Sequence, residues 1–359
     1  MARAESAPPT RTGSSDEVAI DETTLRNAPE AWDAFVARHP GATFFHRAGW
    51  QRAVERTFGY RPRHLAAWRD GRVAGVLPLF VVPTLPWGKA LVSAPQAVYG
   101  GPVADDAGVL EALLLRAREA GESLGVRYIE LRNVSPLPDL PVNDLYVTFR
   151  REIQPTADEN MAAIPRNQRR SIRIGLKSEL VSELGGPELL DPFFALYSTS
   201  VRNLGTPVFP RALFANLMAE FGDEARILLI RRNERPVAAV LTFFSRGEVL
   251  PYYGGALREE FRHGVNDYMY WSLLVHGMER GDRVFDFGRS KKGSGSYDFK
   301  RHWGFEATPL YYQYQLVRQR TVPDWSPRNP RFSFAIECWK RMPLWLSRRL
   351  GPALVRYFP

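Results

Sequence analysis

Hydrophobic and polar residues follow the same order in two separate parts of the chain. Residues 66–80 read AAWRDGRVAGVLPLF and residues 229–244 read LIRRNERPVAAVLTFF. Each stretch is an apolar run, a polar turn and a second apolar run, which is the pattern of a β-hairpin with buried strands. The sequence therefore predicts one such hairpin in each half of the chain.

Similar segments follow both hairpins. In chain order they are VYGGPV (98–103) and YYGGAL (252–257), the predicted helices 108–125 and 265–281, and the predicted strands 127–133 and 283–289. The helices show apolar residues at helical spacing and end near Gly125 and Gly281. A repeat of this length is far too long for a solenoid, so the order predicts a duplicated α/β unit.

Positive charge is concentrated in three segments. The 359 residues carry a net charge of +9. Residues 161–177 contribute five cations and no acid, residues 284–305 five cations and two acids, and residues 326–359 seven cations and one acid. Such local basicity indicates sites for anions rather than a general affinity for polyanions.

Several patterns narrow the class of protein. The single cysteine, Cys338, excludes a disulfide framework. Three prolines interrupt the longest apolar run, 73–87, which is too short to span a bilayer. No apolar leader is present, so we expect a cytoplasmic protein with a disordered tail at 1–17. The six histidines show no metal-ligand spacing, and no metal site is predicted.

The stretch VFDFGRSKKGSGSYDFKRHWGF at 284–305 is the first candidate site. A strand runs into a glycine-serine loop that is rich in cations, and Lys300 follows. Backbone N–H groups and cationic side chains at such an edge can converge on a phosphate or carboxylate. A solvated basic loop is the alternative. For a binding site, the candidate substrate-binding residues are Arg289, Ser290, Lys291, Tyr253 and Tyr297.

The loop before the second predicted helix is another candidate. It contains Arg262, His263, Gly264 and Asn266, where helix N–H groups could hold a pyrophosphate. A plain N-cap role for Asn266 or Asp267 is the alternative.

A third candidate is a stripe of cations that begins after Pro165. At helical spacing, one face collects Arg166, Arg169, Arg170, Arg173 and Lys177. Guanidinium groups in a row suit an anionic sugar-phosphate acceptor, a lipid-linked carrier or a nucleotide donor. Arg166, Arg170 and Arg173 are therefore candidate substrate-binding residues, and a solvated helix face is the alternative.

These motifs resemble those of the FemAB-like acyltransferases, most closely the FemAB-related proteins associated with exosortase/PEP-CTERM systems. The matching segments are 164–177, 205–223, 263–271, 284–305 and 329–352. The resemblance implies an α/β fold of two tandem GNAT-type (acetyltransferase) domains with mixed sheets flanked by helices. We place these domains at 18–150 and 151–320, followed by a C-terminal extension at 321–359.

The resemblance also implies an activity, the transfer of an acyl or aminoacyl group to an amine or hydroxyl by direct attack. The acceptor would be an anionic or lipid-linked saccharide of exopolysaccharide or cell-envelope assembly. The donor is acyl-CoA or aminoacyl-tRNA, since the glycine-rich acetyl-CoA signature is degenerate here. The family lysine that matches Lys300 is thought to stabilise developing negative charge. Asp298, Asp286 and His302 are candidates for the general base.

The C-terminal extension interleaves aromatic and basic residues. This pattern is typical of a helix on an anionic bilayer, and docking on its own domain is the alternative. Peripheral contact with the inner membrane is therefore expected, and tRNA is a second potential partner. A non-catalytic basic module at the membrane surface is the alternative to an enzyme. The sequence does not indicate an oligomeric state.

Overall fold

The structure, a computed structural model, describes residues 17–84, 88–323 and 330–358, without the side chains of 330–335. The predicted tail at 1–17 lies outside these residues except for Glu17. Helices and strands are mixed throughout the described chain, which confirms the α/β fold class.

The elements of the first half end at β10. Its strands are β1 (Ala19–Asp21), β2 (Arg61–Pro62), β3 (Leu65–Arg69), β4 (Arg72–Leu77), β5 (Leu79–Pro83), β6 (Lys89–Ser93), β7 (Val103–Ala104), β8 (Tyr128–Asn133), β9 (Val142–Asn143) and β10 (Tyr146–Glu152). Its helices are α1 (Thr24–Asn27), α2 (Pro29–Arg38), α3 (Ala48–Phe58) and α4 (Ala107–Leu124).

The second half begins with two short helices. Its helices are α5 (Ala157–Ala162), α6 (Arg166–Leu176), α7 (Leu190–Leu204), α8 (Arg211–Phe221), α9 (Val265–Glu279), α10 (Gly295–His302), α11 (Pro330–Arg341) and α12 (Leu344–Val355). Its strands are β11 (Leu180–Gly185), β12 (Ala225–Arg232), β13 (Arg235–Ser245), β14 (Glu248–Ala256), β15 (Val284–Asp286), β16 (Ser290–Lys291), β17 (Ala307–Pro309) and β18 (Tyr311–Leu316).

The described strands form three sheets. Their orders are β1-β3-β4-β7, β2-β5-β6-β8-β18-β9 and β11-β12-β13-β14-β15-β10-β16, with β17 also paired to β10. The predicted hairpins are confirmed as β3–β4 and β12–β13. Their turn residues Asp70, Gly71, Asn233 and Glu234 all have positive φ, as two-residue type I′ turns require.

The two halves exchange strands. β10 pairs with β15, β16 and β17 of the second half, and β18 returns to pair with β8 and β9 of the first. The sheets therefore interlock across the predicted domain limits at 18–150, 151–320 and 321–359, which stay predictions.

Alternating residues of β13 serve two hydrophobic cores. Leu241 and Phe243 join the core beneath α7 and α8, whereas Val240 and Phe244 join the core beneath α9. This follows from the period of two along a strand. The first of these cores also contains Trp50 of α3, so it extends into the first half.

The C-terminal helices pack on the rest of the chain. Arg202 of α7 donates to the carbonyl of Met342 (3.2 Å), and Arg348 of α12 donates to Ser198 Oγ (2.9 Å). The Tyr60 hydroxyl of the first half donates to the carbonyl of Arg356 (2.8 Å). One face of the extension is therefore docked on the protein itself.

Candidate active site

A cleft opens between β14 and β15. These parallel strands pair only at their first positions, Glu248 with Val284 and Val249 with Phe285. β14 then continues to its end without β15, and the chain turns away at Gly288, whose φ is +65°. Ligands of open α/β sheets bind where neighbouring strands end and part, so this cleft is the candidate site.

Lys300 fixes the backbone at the mouth of the cleft. Its Nζ donates to the carbonyls of Phe287 (2.7 Å), Gly288 (3.0 Å) and Arg289 (3.1 Å). Burial lowers the pKa of Lys300 to about 7; Asp286 opposes this shift and Arg289 adds to it. The three donors of the ammonium group thus hold the loop that carries Arg289.

Asp286 is held from several sides. It accepts hydrogen bonds from the Gly288 N–H (2.7 Å) and the Tyr99 hydroxyl (3.0 Å), and it lies 3.5 Å from Arg150 Nη1. Burial raises the pKa of Asp286, against the effect of Arg150. Because both oxygens are engaged, this geometry gives the carboxylate a positioning task at the end of β15.

Arg289 lies half-buried between aromatic rings. Its Nη1 donates to the Tyr312 hydroxyl (2.9 Å), and its Cζ lies 4.8 Å from the centroid of the Tyr146 ring. Burial lowers the pKa of Arg289, but Tyr312 and Tyr146 act the other way and the net shift is upward. No described carboxylate forms an ion pair with this guanidinium. It is therefore a partly desolvated cation that can receive an anion.

Two buried hydroxyls of predicted substrate-binding residues lack a described partner. Among the described atoms, neither Tyr253 Oη nor Ser290 Oγ has a hydrogen-bond partner, although the residues are only 6% and 4% exposed. Ser290 directly follows Arg289 in the chain, whereas the Tyr253 ring packs against Tyr197, Phe209 and Phe214. Buried polar groups are normally satisfied, and a polar ligand would satisfy these.

Lys291 borders the same group. Burial, together with the charge of Arg289, lowers the pKa of Lys291 to about 8. Its Nζ lies 5.9 Å from the centroid of the Tyr146 ring. The structure thus brings together two predicted substrate-binding residues, Arg289 and Lys291, beside the ring of Tyr146, with Ser290 between them in the chain.

Helix α10 separates the other candidates from this group. Tyr297 packs its ring 5.6 Å from that of Phe149, and Asp298 and His302 are exposed. Lys300 of the same helix is buried. Residues two apart on a helix point to different sides, so Asp298 does not share the inward face of Lys300.

Helix α6 crosses the beginning of α9. Gly264, with φ at +67°, precedes α9, and a Cβ there would lie 2.5 Å from the carbonyl oxygen of Ser171. Gln168 of α6 donates to Asp267 Oδ1 (2.5 Å), as does the Trp303 indole (2.9 Å). Gln168, Ser171 and Gly175, through which α6 meets this part of the chain, lie on the side of the helix opposite the cationic stripe.

The predicted pyrophosphate-binding residues differ in their surroundings. Arg262 is exposed and donates to His263 Nε2 (3.1 Å). The Gly264 N–H donates to the Phe261 carbonyl, and Asn266 is half-buried. The Gly264 N–H therefore already has a partner within the chain, and Arg262 is the exposed cation.

The cations of α6 have no described carboxylate partner. Arg166, Arg170, Arg173 and Lys177 are exposed, and Arg169 is half-buried with its Nε unpaired among the described atoms. Exposed cations without carboxylate partners remain available to an anionic ligand.

The equivalent cleft of the first half is filled by its own chain. β6 and β8 also pair in parallel over two positions only. Buried Arg132 then donates to the Ala97 carbonyl (2.8 Å) and to Glu130 (2.9 Å), and its own carbonyl accepts from the N–H groups of Gly100 and Gly101. These contacts occupy the position in the first half that corresponds to the gap between β14 and β15 in the second.

The sequence reasoning missed three tyrosines of the site. Tyr146 and Tyr312 reach Arg289 from the exchanged strands β10 and β18, for which the sequence offers no signal. The sequence did contain a signal for Tyr99, which contacts Asp286. Tyr99 occupies the position in VYGGPV that Tyr253 occupies in YYGGAL.

The described residues contain no group of His, Cys, Asp and Glu that could hold a metal ion. Within the same residues, no helix combines the length and apolar character needed to cross a membrane.

Comparisons with known proteins agree with this architecture. Residues 162–301 match the family model described as acetyltransferase (GNAT) domain. None of the curated protein sequences matches the chain. Among solved structures, FemX is 17% identical with a TM-score of 0.65, over 86% of this chain and 98% of FemX.

Two further solved structures concern lysylphosphatidylglycerol synthesis. The C-terminal domain of a putative lysylphosphatidylglycerol synthetase from Agrobacterium fabrum is 14% identical (TM-score 0.56) over 80% of this chain and 91% of that domain. L-PGS from Bacillus licheniformis is 16% identical (TM-score 0.53) over 90% of this chain and 97% of that one. Residues 162–301 thus match an acetyltransferase (GNAT) domain, within a fold that resembles that of FemX over most of the chain.

Proposed function

We propose that the protein is a cytoplasmic acyl- or aminoacyltransferase that acts in the cleft between β14 and β15. Its acceptor would be an amine or hydroxyl of an anionic envelope or exopolysaccharide precursor. The observation that carries this proposal is Arg289, a half-buried guanidinium that contacts Tyr312 and Tyr146 and has no described carboxylate partner.

The reaction would be a direct attack. The acceptor nitrogen or oxygen bonds to the acyl carbon, the bond from that carbon to the donor's sulfur or ribose oxygen breaks, and the proton of the nucleophile reaches the leaving group through a general base or water. Arg289 would stabilise the charge on the carbonyl oxygen. Lys300 and Asp286 would position the loop. Because Asp298 and His302 are exposed on α10, away from Arg289, water would carry the proton.

The donor would lie where α6 meets the beginning of α9. Arg262 and Arg169 near this junction suit the pyrophosphate of acyl-CoA. The full stripe from Arg166 to Lys177 extends over roughly 16 Å, which is longer than one pyrophosphate needs. That length favours the second candidate, an aminoacyl-tRNA donor whose phosphates follow the stripe.

A thermal-shift screen tests this proposal. The purified protein would be heated with acetyl-CoA, longer acyl-CoAs, aminoacyl-tRNA and nucleotide sugars, because any ligand that binds the folded state raises the melting temperature. We expect a donor hit that Arg170→Glu weakens and an acceptor hit that Arg289→Gln abolishes. Arg118→Gln, on the distant helix α4, is the control. A blank panel would instead support a non-catalytic module.

A further inference from the structure

Helix α12 uses only one of its faces for packing. Ser347, Gly351 and Val355, each four residues apart, are buried against the protein. A Cβ at Gly351 would lie 2.5 Å from the carbonyl oxygen of Val208, so the helix is closely seated. The orientation of α12, and of the opposite face, is therefore fixed by the fold.

The remaining surface of α12 is apolar and cationic. Trp345 is 67% exposed, and Leu350 and Leu354, one turn apart, are each 39% exposed. Arg349 and Arg356 are exposed beside them. From Cys338 to the end of the chain there is no acidic residue. We call this surface the outer face of α12.

We propose that the outer face of α12 binds the surface of an anionic lipid bilayer. Exposed leucines and a tryptophan enter the boundary between headgroups and acyl chains, while flanking arginines contact lipid phosphates. We identify the ligand of this face as anionic lipid for two reasons. The apolar residues are too few to bind a bilayer by themselves, and every charged residue on the face is positive. This inference is independent of the chemistry in the cleft.

A second copy of the chain fits this face poorly. In a two-fold symmetric contact, each residue meets the same patch of its partner. The cationic arc of Arg349 and Arg356 would then face its own copy, with no acid on α12 to compensate. Like charges brought together in this way oppose association.

Vesicle co-sedimentation of the full chain tests the proposal. The probe is vesicles with roughly 30% phosphatidylglycerol in phosphatidylcholine, compared with vesicles of pure phosphatidylcholine. We expect binding only to the anionic vesicles, with the partition coefficient reduced on the order of tenfold by Arg349→Glu. Trp345→Ser combined with Leu350→Ser should reduce it at least as much.

Matched controls lie on other helices. Leu115→Ser removes a leucine of α4 that is more exposed than Leu350, and Arg170→Glu makes the same charge change on α6. Both should bind vesicles like the unmodified protein. The proposal is overturned if the full chain does not bind, if the α12 variants bind normally, or if Arg170→Glu abolishes binding, because α6 would then be the membrane contact.

A labelled variant reports the orientation. In a Cys338→Ser background, Leu350→Cys carries an environment-sensitive fluorophore, and Leu115→Cys carries it in the control. Anionic vesicles should shift only the Leu350 label to the blue. Equal blue shifts of the two labels would contradict the proposal. So would a blue shift that arises from self-association of the protein, which light scattering without vesicles would detect.

Discussion

The cationic side chains that follow β15 in the chain differ in their surroundings. Lys300 donates to three backbone carbonyls and is buried, whereas Arg289 contacts two tyrosines and no described carboxylate. The resemblance pointed to Lys300 as the cation at the reacting carbonyl. The geometry favours Arg289 for that contact and Lys300 for holding it in place, so the roles proposed for both residues need separate tests.

Replacing Lys300 by methionine should destabilise the protein and reduce ligand binding at Arg289. The substitution leaves three buried carbonyl oxygens without their donor, at a cost of about 3 kcal/mol. Denaturant unfolding measures the change. Lys292→Met is the control, because exposed Lys292 only pairs with exposed Asp144, and it should change stability by less than about 0.5 kcal/mol. Equal stability of the two variants would contradict the positioning role.

His46 should make stability depend on pH. Its Nε2 donates to the Gly101 carbonyl (2.9 Å) and its Nδ1 accepts from the Thr43 N–H (3.0 Å), which fits a neutral ring. Burial lowers the pKa of His46 to about 4. Between pH 6.5 and 4 only the unfolded state takes up this proton, so the free energy of unfolding should fall by about 3 kcal/mol as the pH falls.

Unfolding at several pH values checks this dependence on His46. His46→Gln should reduce the slope between pH 6.5 and 4 without abolishing it, because burial also lowers the pKa of His64, to about 3. His302→Gln, at an exposed ring, should leave the slope unchanged. A slope that is the same in all three proteins would show that His46 does not titrate as described.

At the scale of elements, local signals in the sequence were sufficient to predict the hairpins and the helices. The turn at Asn233-Glu234 and the periodicity of α4 and α9 are properties of neighbouring residues, and the structure shows both. The exchange of β10 and β18 depends on pairing between distant segments. No local pattern encodes it, and therefore Tyr146 and Tyr312 were not assigned to the site.

The contact between α6 and α9 depends on glycine at position 264. Gly264→Ala adds a Cβ 2.5 Å from the Ser171 carbonyl oxygen at a positive φ, and should cost about 3 kcal/mol or more. Gly281→Ala is the matched control, since its φ is +80° but no atom lies within 4 Å, and it should cost about 1 kcal/mol. Denaturant unfolding compares them, and equal losses would mean that the helix contact contributes little.

At the scale of the whole molecule, the exchanged strands tie the two halves together. The largest hydrophobic core also contains residues of both halves, among them Trp50, Phe243 and Val355. One sheet of each half contains a strand from the other half, β18 in the first and β10 in the second. The two parted strand pairs, β6 with β8 in the first half and β14 with β15 in the second, thus belong to one interlocked structure.

Calorimetry should therefore show a single unfolding transition. Because the sheets and the core cross between the halves, the calorimetric and van't Hoff enthalpies should agree, as they do for a cooperative unit. Two resolved transitions, or a calorimetric enthalpy about twice the van't Hoff value, would indicate halves that unfold separately.

The measurement that tests the central claim most directly is acyl transfer itself. The donor identified by thermal shift, labelled on its acyl group, would be incubated with nucleotide-linked and lipid-linked saccharides, and label in the saccharide would be counted. We expect transfer by the unmodified protein and by Arg118→Gln, and a kcat/KM lower by roughly 100-fold or more in Arg289→Gln. Equal transfer by Arg289→Gln, or none by the unmodified protein, would contradict a transferase site at Arg289.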